Sequence, residues 1–191
     1  MPSRYKFFAL LLSVAVSLPS LAALAEELVE VGRLHRTGEF TTALQRADRY
    51  LSTMPRDPQM RFLKSVVLAD AGRAGEAVEI LSGLVQDYPE LPEPHNNLAA
   101  LHAAAGDYGK ARAALEEAIR LRPDYAPAHE NLGDVQLMLA AQAYARALRL
   151  EPSSEDLPRK LALVRQFSIP APAASPVATV PGASPASAVA R

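Results

Sequence analysis

The chain has 191 residues, 49% of them hydrophobic but only 6% aromatic, and it carries no Cys, no Trp and a net charge of −1. That length suits one domain or a short array, and the weight of Ala and Leu favours closely packed helices over a β-sandwich. Disulfides, thiolate metal sites and a Cys nucleophile are excluded, and so small a net charge gives no bulk attraction to nucleic acid.

Residues 1–25 read as an export signal. Arg4 and Lys6 open it, an apolar run from Phe7 to Leu18 follows, and Ala23 and Ala25 place small side chains before Glu26, where cleavage is expected. The alternative is an inner-membrane anchor that stays uncleaved. The apolar run is about 12 residues long and a bilayer span needs roughly 20, so cleavage is favoured. Loss of Arg4 and Lys6 takes the net charge from −1 to −3. The expected product is exported, in the periplasm, with no membrane insertion after signal removal.

Beyond the signal the chain repeats itself. Gly38, Gly72 and Gly106 are 34 residues apart, as are Ala43, Ala77 and Ala111, and Pro55, Pro89 and Pro123. Three markers with one period define units at about 24–57, 58–91 and 92–125, and a shortened fourth at 126–154. Each unit reads as a helical hairpin. The Gly ends the first helix in a left-handed conformation, the Ala allows close approach of the second, and the Pro stops it. Leu98, Leu101, Leu115, Ile119 and Leu121 recur at helical spacing as the buried stripe.

The fourth unit lacks its turn. His129, Leu132 and Gly133 follow His95, Leu98 and Ala99 by 34 residues, whereas Ala147, Leu150 and Pro152 follow Ala118, Leu121 and Pro123 by only 29. The five missing residues correspond to Gly106–Lys110. From Val135 to Leu150 strong helix formers run without Gly or Pro, which predicts one helix over about 127–150. Its second half needs cover. One source is a capping helix at 155–167, with Leu157, Leu161, Val164 and Phe167 in a stripe and "PSSED" as its start. The other is a partner, including a second copy of the chain, meeting Tyr144 and Leu148. The Pro-, Ala- and Ser-rich stretch at 168–191 reads as a disordered tail.

The segment "PEPHNNLAALHAAAGDYGKARAALEEAIRLRPDY" at 92–125 resembles the tetratricopeptide repeat family. Leu98 and Ala99 match its Leu-Gly/Ala pair, "GDY" its turn, Ala111, Leu115 and Ala118 its small-large-small series, and Pro123 its closing proline. The resemblance extends over about 24–152. It departs where the family has Trp, since Arg61, His95 and His129 stand there. The fold it implies is all-α, a right-handed α-solenoid of helix-turn-helix repeats with a capping helix.

No catalytic motif occurs in the sequence. The four histidines form no HExxH, "GRAGEA" lacks the Lys-Ser/Thr of a phosphate loop, and the serines form no nucleophile elbow. His95 in the Trp slot reads as packing between helices rather than as a metal ligand. No enzyme, cofactor or metal is expected. The resemblance implies instead a protein or peptide partner in a concave groove lined by the first helices of successive repeats. Carried over residue by residue, the groove would hold Phe62, Val66 and Ala69, then Asn96, Ala100 and Ala103, then Glu130, Asp134 and Leu137. Asn97 and Asn131 match an asparagine that in some members bonds the backbone of an extended peptide, with an interhelical hydrogen bond as the alternative. Members that clamp a C-terminal carboxylate use Lys and Arg at groove positions that here read Asn, Ala, Phe and Glu, which argues against that mode. The expected function is a protein-protein interaction scaffold in the cell envelope, or else a structural module that self-associates through helix 127–150.

Overall fold

A computed structural model describes residues 21–167. These form eight helices: α1 (Leu21–Arg36), α2 (Phe40–Thr53), α3 (Pro58–Asp70), α4 (Ala74–Asp87), α5 (Pro92–Ala104), α6 (Tyr108–Leu121), α7 (Ala126–Leu150) and α8 (Asp156–Phe167). The described residues contain no strand. The expected tail, and the leader up to Ser20, lie outside the described residues, while Leu21–Ala25 belong to α1.

Three antiparallel hairpins, α1–α2, α3–α4 and α5–α6, carry the 34-residue period into space. Gly38, Gly72 and Gly106 have φ of 78°, 76° and 78°, the only positive values among the described residues. Each sits in the same double hydrogen bond. The Gly106 amide donates to Ala103 O (2.9 Å) and the Asp107 amide to His102 O (2.9 Å), with equivalent pairs around Gly38 and Gly72. This motif satisfies carbonyls that the helix end would otherwise leave free, and only Gly enters its left-handed corner without steric cost. Asp57 and Asp107 cap the following helices, accepting from the Met60 amide (2.7 Å) and the Lys110 amide (3.2 Å).

Each helix contacts its neighbours along the chain. The first helix of a unit docks on the second helix of the unit before, using one repeated face. In α3 this face is Met60, Lys64 and Val67. Met60 and Val67 are buried with Leu44, Ala47 and Tyr50 of α2, and Lys64 reaches Asp48 at 2.6 Å. In α7 it is Ala128, Leu132 and Val135, packed with Ala111, Leu115 and Ala118 of α6. Ala43, Ala77 and Ala111 are fully buried, as the close approach of paired helices requires.

α7 is a single helix of 25 residues, roughly 37 Å long at 1.5 Å per residue. Its first half docks on α5 and α6, and α8 packs against it as well. Ser154 Oγ accepts from the Leu157 amide (3.4 Å) at the start of α8. Leu161 is buried, but Leu163 and Phe167 are 56% and 59% exposed and Leu150 of α7 is 78% exposed. The cover that α8 supplies is therefore partial. Tyr144 and Leu148 are both half-buried.

Candidate functional site

The residues expected to line a groove divide into two groups. Phe62 and Val66 are buried at 6% and 2% exposure, packed with Leu81 and Leu84 of α4 and Leu98 of α5. They are core and present nothing to a partner, which corrects their assignment to the groove. The physical reason is size and polarity: large apolar side chains on a first helix turn into the seam with the next unit, where burial stabilises each by about 1.5–3 kcal/mol. Asn96 is corrected too, at 8% exposure, for a different reason: its amide is engaged in hydrogen bonds to α7 and within α5.

Asn97 and Asn131 meet through Asn96. The Asn131 amide nitrogen donates to Asn96 Oδ1 at 2.9 Å, joining α7 to α5, and the Asn96 amide nitrogen donates to Asn97 Oδ1 at 3.4 Å. This is the interhelical arrangement. It ties the two helices that carry the open part of the face and fixes the orientation of three amides. A second tie joins α1 to α3, where His35 Nε2 lies 2.6 Å from Asp70 Oδ2. Both pairs are 35 residues apart, the spacing of a repeat plus one, which is a sequence signal for polar residues facing each other across successive first helices.

Ala69 of α3 is half-buried, and the other accessible residues expected in the groove lie on α5 and α7. Ala100 and Ala103 are half-buried, and four and three residues apart on the adjoining helix stand Glu130, Asp134 and Leu137, exposed, half-buried and half-buried in turn. Neither carboxylate has an ion-pair partner among the described residues. A shallow floor of methyl groups beside two unpaired acids can hold an extended chain and attract a positive charge, and it repels an acidic one. Some acids elsewhere are engaged, while others, such as Glu79 and Glu90, have no ion pair among the described residues. Glu93, buried at 5% exposure, meets Arg122 at 2.8 Å, and Arg122 in turn lies 5.1 Å from the centre of the Tyr125 ring. His95 is half-buried near Glu117 and Arg120 of α6, and burial pushes its pKa down.

A stack of helical hairpins with an open face of first helices defines a helical-repeat scaffold. The chain belongs to the tetratricopeptide repeat family: the family models described as "Tetratricopeptide repeat" and "TPR repeat" match residues 23–92 and 102–139. Among curated proteins it is similar to the Hsp70-Hsp90 organizing protein of Triticum aestivum, 32% identical over 111 residues that make up 56% of this chain and 19% of that one. It is also similar to the protein O-mannosyl-transferase TMTC1 of Mus musculus, 34% identical over 38% of this chain and 8% of that one. The chain thus spans less than a fifth of the length of these relatives. Among solved structures, a thermophilic TPR protein of Thermus thermophilus superposes with a TM-score of 0.57 at 23% identity, covering 77% of this chain and 84% of that one. The first TPR of Spaghetti (RPAP3), bound to the HSP90 peptide SRMEEVD, gives 0.58 at 13% identity over 63% and 96%. These likenesses concern the fold.

Proposed function

We propose that the chain is a non-catalytic scaffold of the cell envelope that holds a neutral or basic polypeptide segment along α5 and α7. The observation that carries this reading is the pairing of a small-residue floor, Ala100 and Ala103, with the unpaired carboxylates Glu130 and Asp134 on a helix fastened to it by Asn131 and Asn96. The related fold bound to SRMEEVD takes an acidic peptide. In this chain Glu130 and Asp134 stand beside the floor, so the preferred segment is neutral or basic. The leader composition of residues 1–20 supports export, and cleavage before Glu26 would leave α1 shorter by its first five residues.

The test is capture of polypeptides from the envelope fraction by the mature chain, followed by binding of the captured segment to variants. Ala100→Trp fills the floor and should abolish binding. Asp134→Arg should weaken a basic segment by roughly threefold to tenfold, the size of a surface charge contact, and leave helicity unchanged. The reading fails if capture yields no polypeptide, or if an acidic segment binds best and both variants retain it.

A further inference from the structure

The fourth repeat contains both halves of a hairpin and no hairpin. In the first three repeats the close-approach position between paired helices is buried. Val31, Ser65 and Ala99, at one repeat position, are 0%, 1% and 1% exposed. The next residue in that series is Gly133, which is exposed, and a Cβ added to it would meet nothing within 4 Å. Gly inside a helix is unfavourable, and nothing in the single chain requires it here. One turn further, Leu34 and Leu68 are 3% and 1% exposed and His102 is half-buried, and their counterpart Gln136 is exposed.

The second half of α7 shows the complementary surface. Ala111, Leu115 and Ala118 of α6 are all fully buried, between α5 and α7. Their counterparts Ala140, Tyr144 and Ala147 are only half-buried, and no residue of α7 beyond Leu139 joins the core clusters of the described residues. α8 does not fill the missing place. Its Leu157, Leu161 and Val164 correspond to Ala128, Leu132 and Val135, the face with which a first helix docks on the second helix before it. α8 therefore stands where the first helix of a following unit would dock, and Ala140, Tyr144 and Ala147 stay only half-buried.

Charge selects the occupant. The first half of α7 carries Glu130 and Asp134, the second half Arg146 and Arg149, and α7 is the one described helix whose residues form no ion pair. In repeat three, Glu117 and Arg120 act electrostatically on His95 across the hairpin. Their counterparts in α7 are Arg146 and Arg149, and that of His95 is His129, next to Glu130. A hairpin-like, antiparallel partner helix must therefore be acidic where α7 is basic and basic where it is acidic. It must also offer small residues against small ones. A second α7 meets both conditions.

We infer that two copies of the chain pair through α7, antiparallel about a two-fold axis, so that the second half of each serves as the missing helix of the other's fourth repeat. Gly133 of one copy lies against Ala140 of the second, and Glu130 against Arg146 of the second. The contact is self-complementary and closed; it uses Glu130, one of the two carboxylates of the proposed groove, and its test reads mass whereas the groove's test reads peptide binding.

The experiment is light scattering on the full chain at micromolar concentration. The wild type should show twice the 20.5 kDa of one chain. Insertion of Gly-Asp-Tyr-Gly-Lys between Leu139 and Ala140 restores the 34-residue unit and should give a helical monomer. Gly133→Arg should also give a monomer with undiminished helical circular dichroism. Glu130→Arg and Arg146→Glu should each weaken the dimer by about tenfold, and the two together should return it towards wild-type affinity. A monomeric wild type, a dimer that survives the insertion or Gly133→Arg, or failure of the double reversal to rescue, overturns the inference.

Discussion

Arg61, His95 and His129 occupy the position where the family places Trp, and each finds a different solution. The Arg61 guanidinium pairs with Asp87 at 2.6 Å and lies over Gly83, where an added Cβ would come within 2.8 Å of Nη2. Exposed His129 bonds the Pro123 carbonyl at 2.8 Å. His95 remains between helices, and its pKa is lowered by burial, with Glu117 opposing and Arg120 adding to the effect. The native state thus resists protonation more than the unfolded chain, whose His titrates near 6.5. Its contribution to stability is complete above pH 6.5, declines as the pH falls through that value, and levels off below the folded pKa. His95→Trp, which restores the family residue, should remove this component. Thermal midpoints of the two proteins measured from pH 8 to pH 5 should then diverge progressively below about pH 6.5, and parallel midpoints would show that His95 is not the titrating group. The sequence showed the slot and its departure from Trp. It did not show the three fates, because each depends on a residue of another helix.

Elements were legible where a local rule fixes them. The glycine spacing placed three turns because a left-handed corner admits few other residues, and the lack of any breaker from Val135 to Leu150 placed α7 as one helix. Ties between elements were less legible. Glu93, almost wholly buried at the start of α5, is held by Arg122 just past the end of α6. Nothing in the local sequence distinguishes that pair from the surface pairs around it, such as Arg120 with Glu117. Burial does distinguish it. Arg122→Ala would leave a carboxylate in the seam without its partner and remove the cation from the Tyr125 ring, costing about 1–3 kcal/mol. Arg120→Ala, which breaks an exposed pair three residues apart, should leave stability almost unchanged. Urea unfolding of the two variants separates the cases, and equal losses would mean that Glu93 finds water in place of Arg122.

At the scale of the molecule, stability is distributed along a line, since each helix touches those near it in sequence and the core forms successive clusters along the stack. The period made this architecture legible. The division of the first helices between groove and core was not, because the family pattern assigns positions while side-chain volume decides which of them close: Phe62 and Val66 sealed theirs, and Ala100 left its own open. A linear array also responds to damage according to place. Met60, fully buried, locks α3 to α1 and α2 in the first cluster. Met60→Ala should cost about 2–5 kcal/mol and quicken hydrogen exchange through α1 to α4, since every opening of that seam uncouples two hairpins. Leu161, buried at the free end, seals only α8 to α7. Leu161→Ala should quicken exchange in α8 and in α7 beyond Leu139 and leave α1 to α6 at wild-type rates. If instead it quickened exchange throughout, the chain would unfold as one cooperative block, and a nearest-neighbour account of the stack would have to be abandoned.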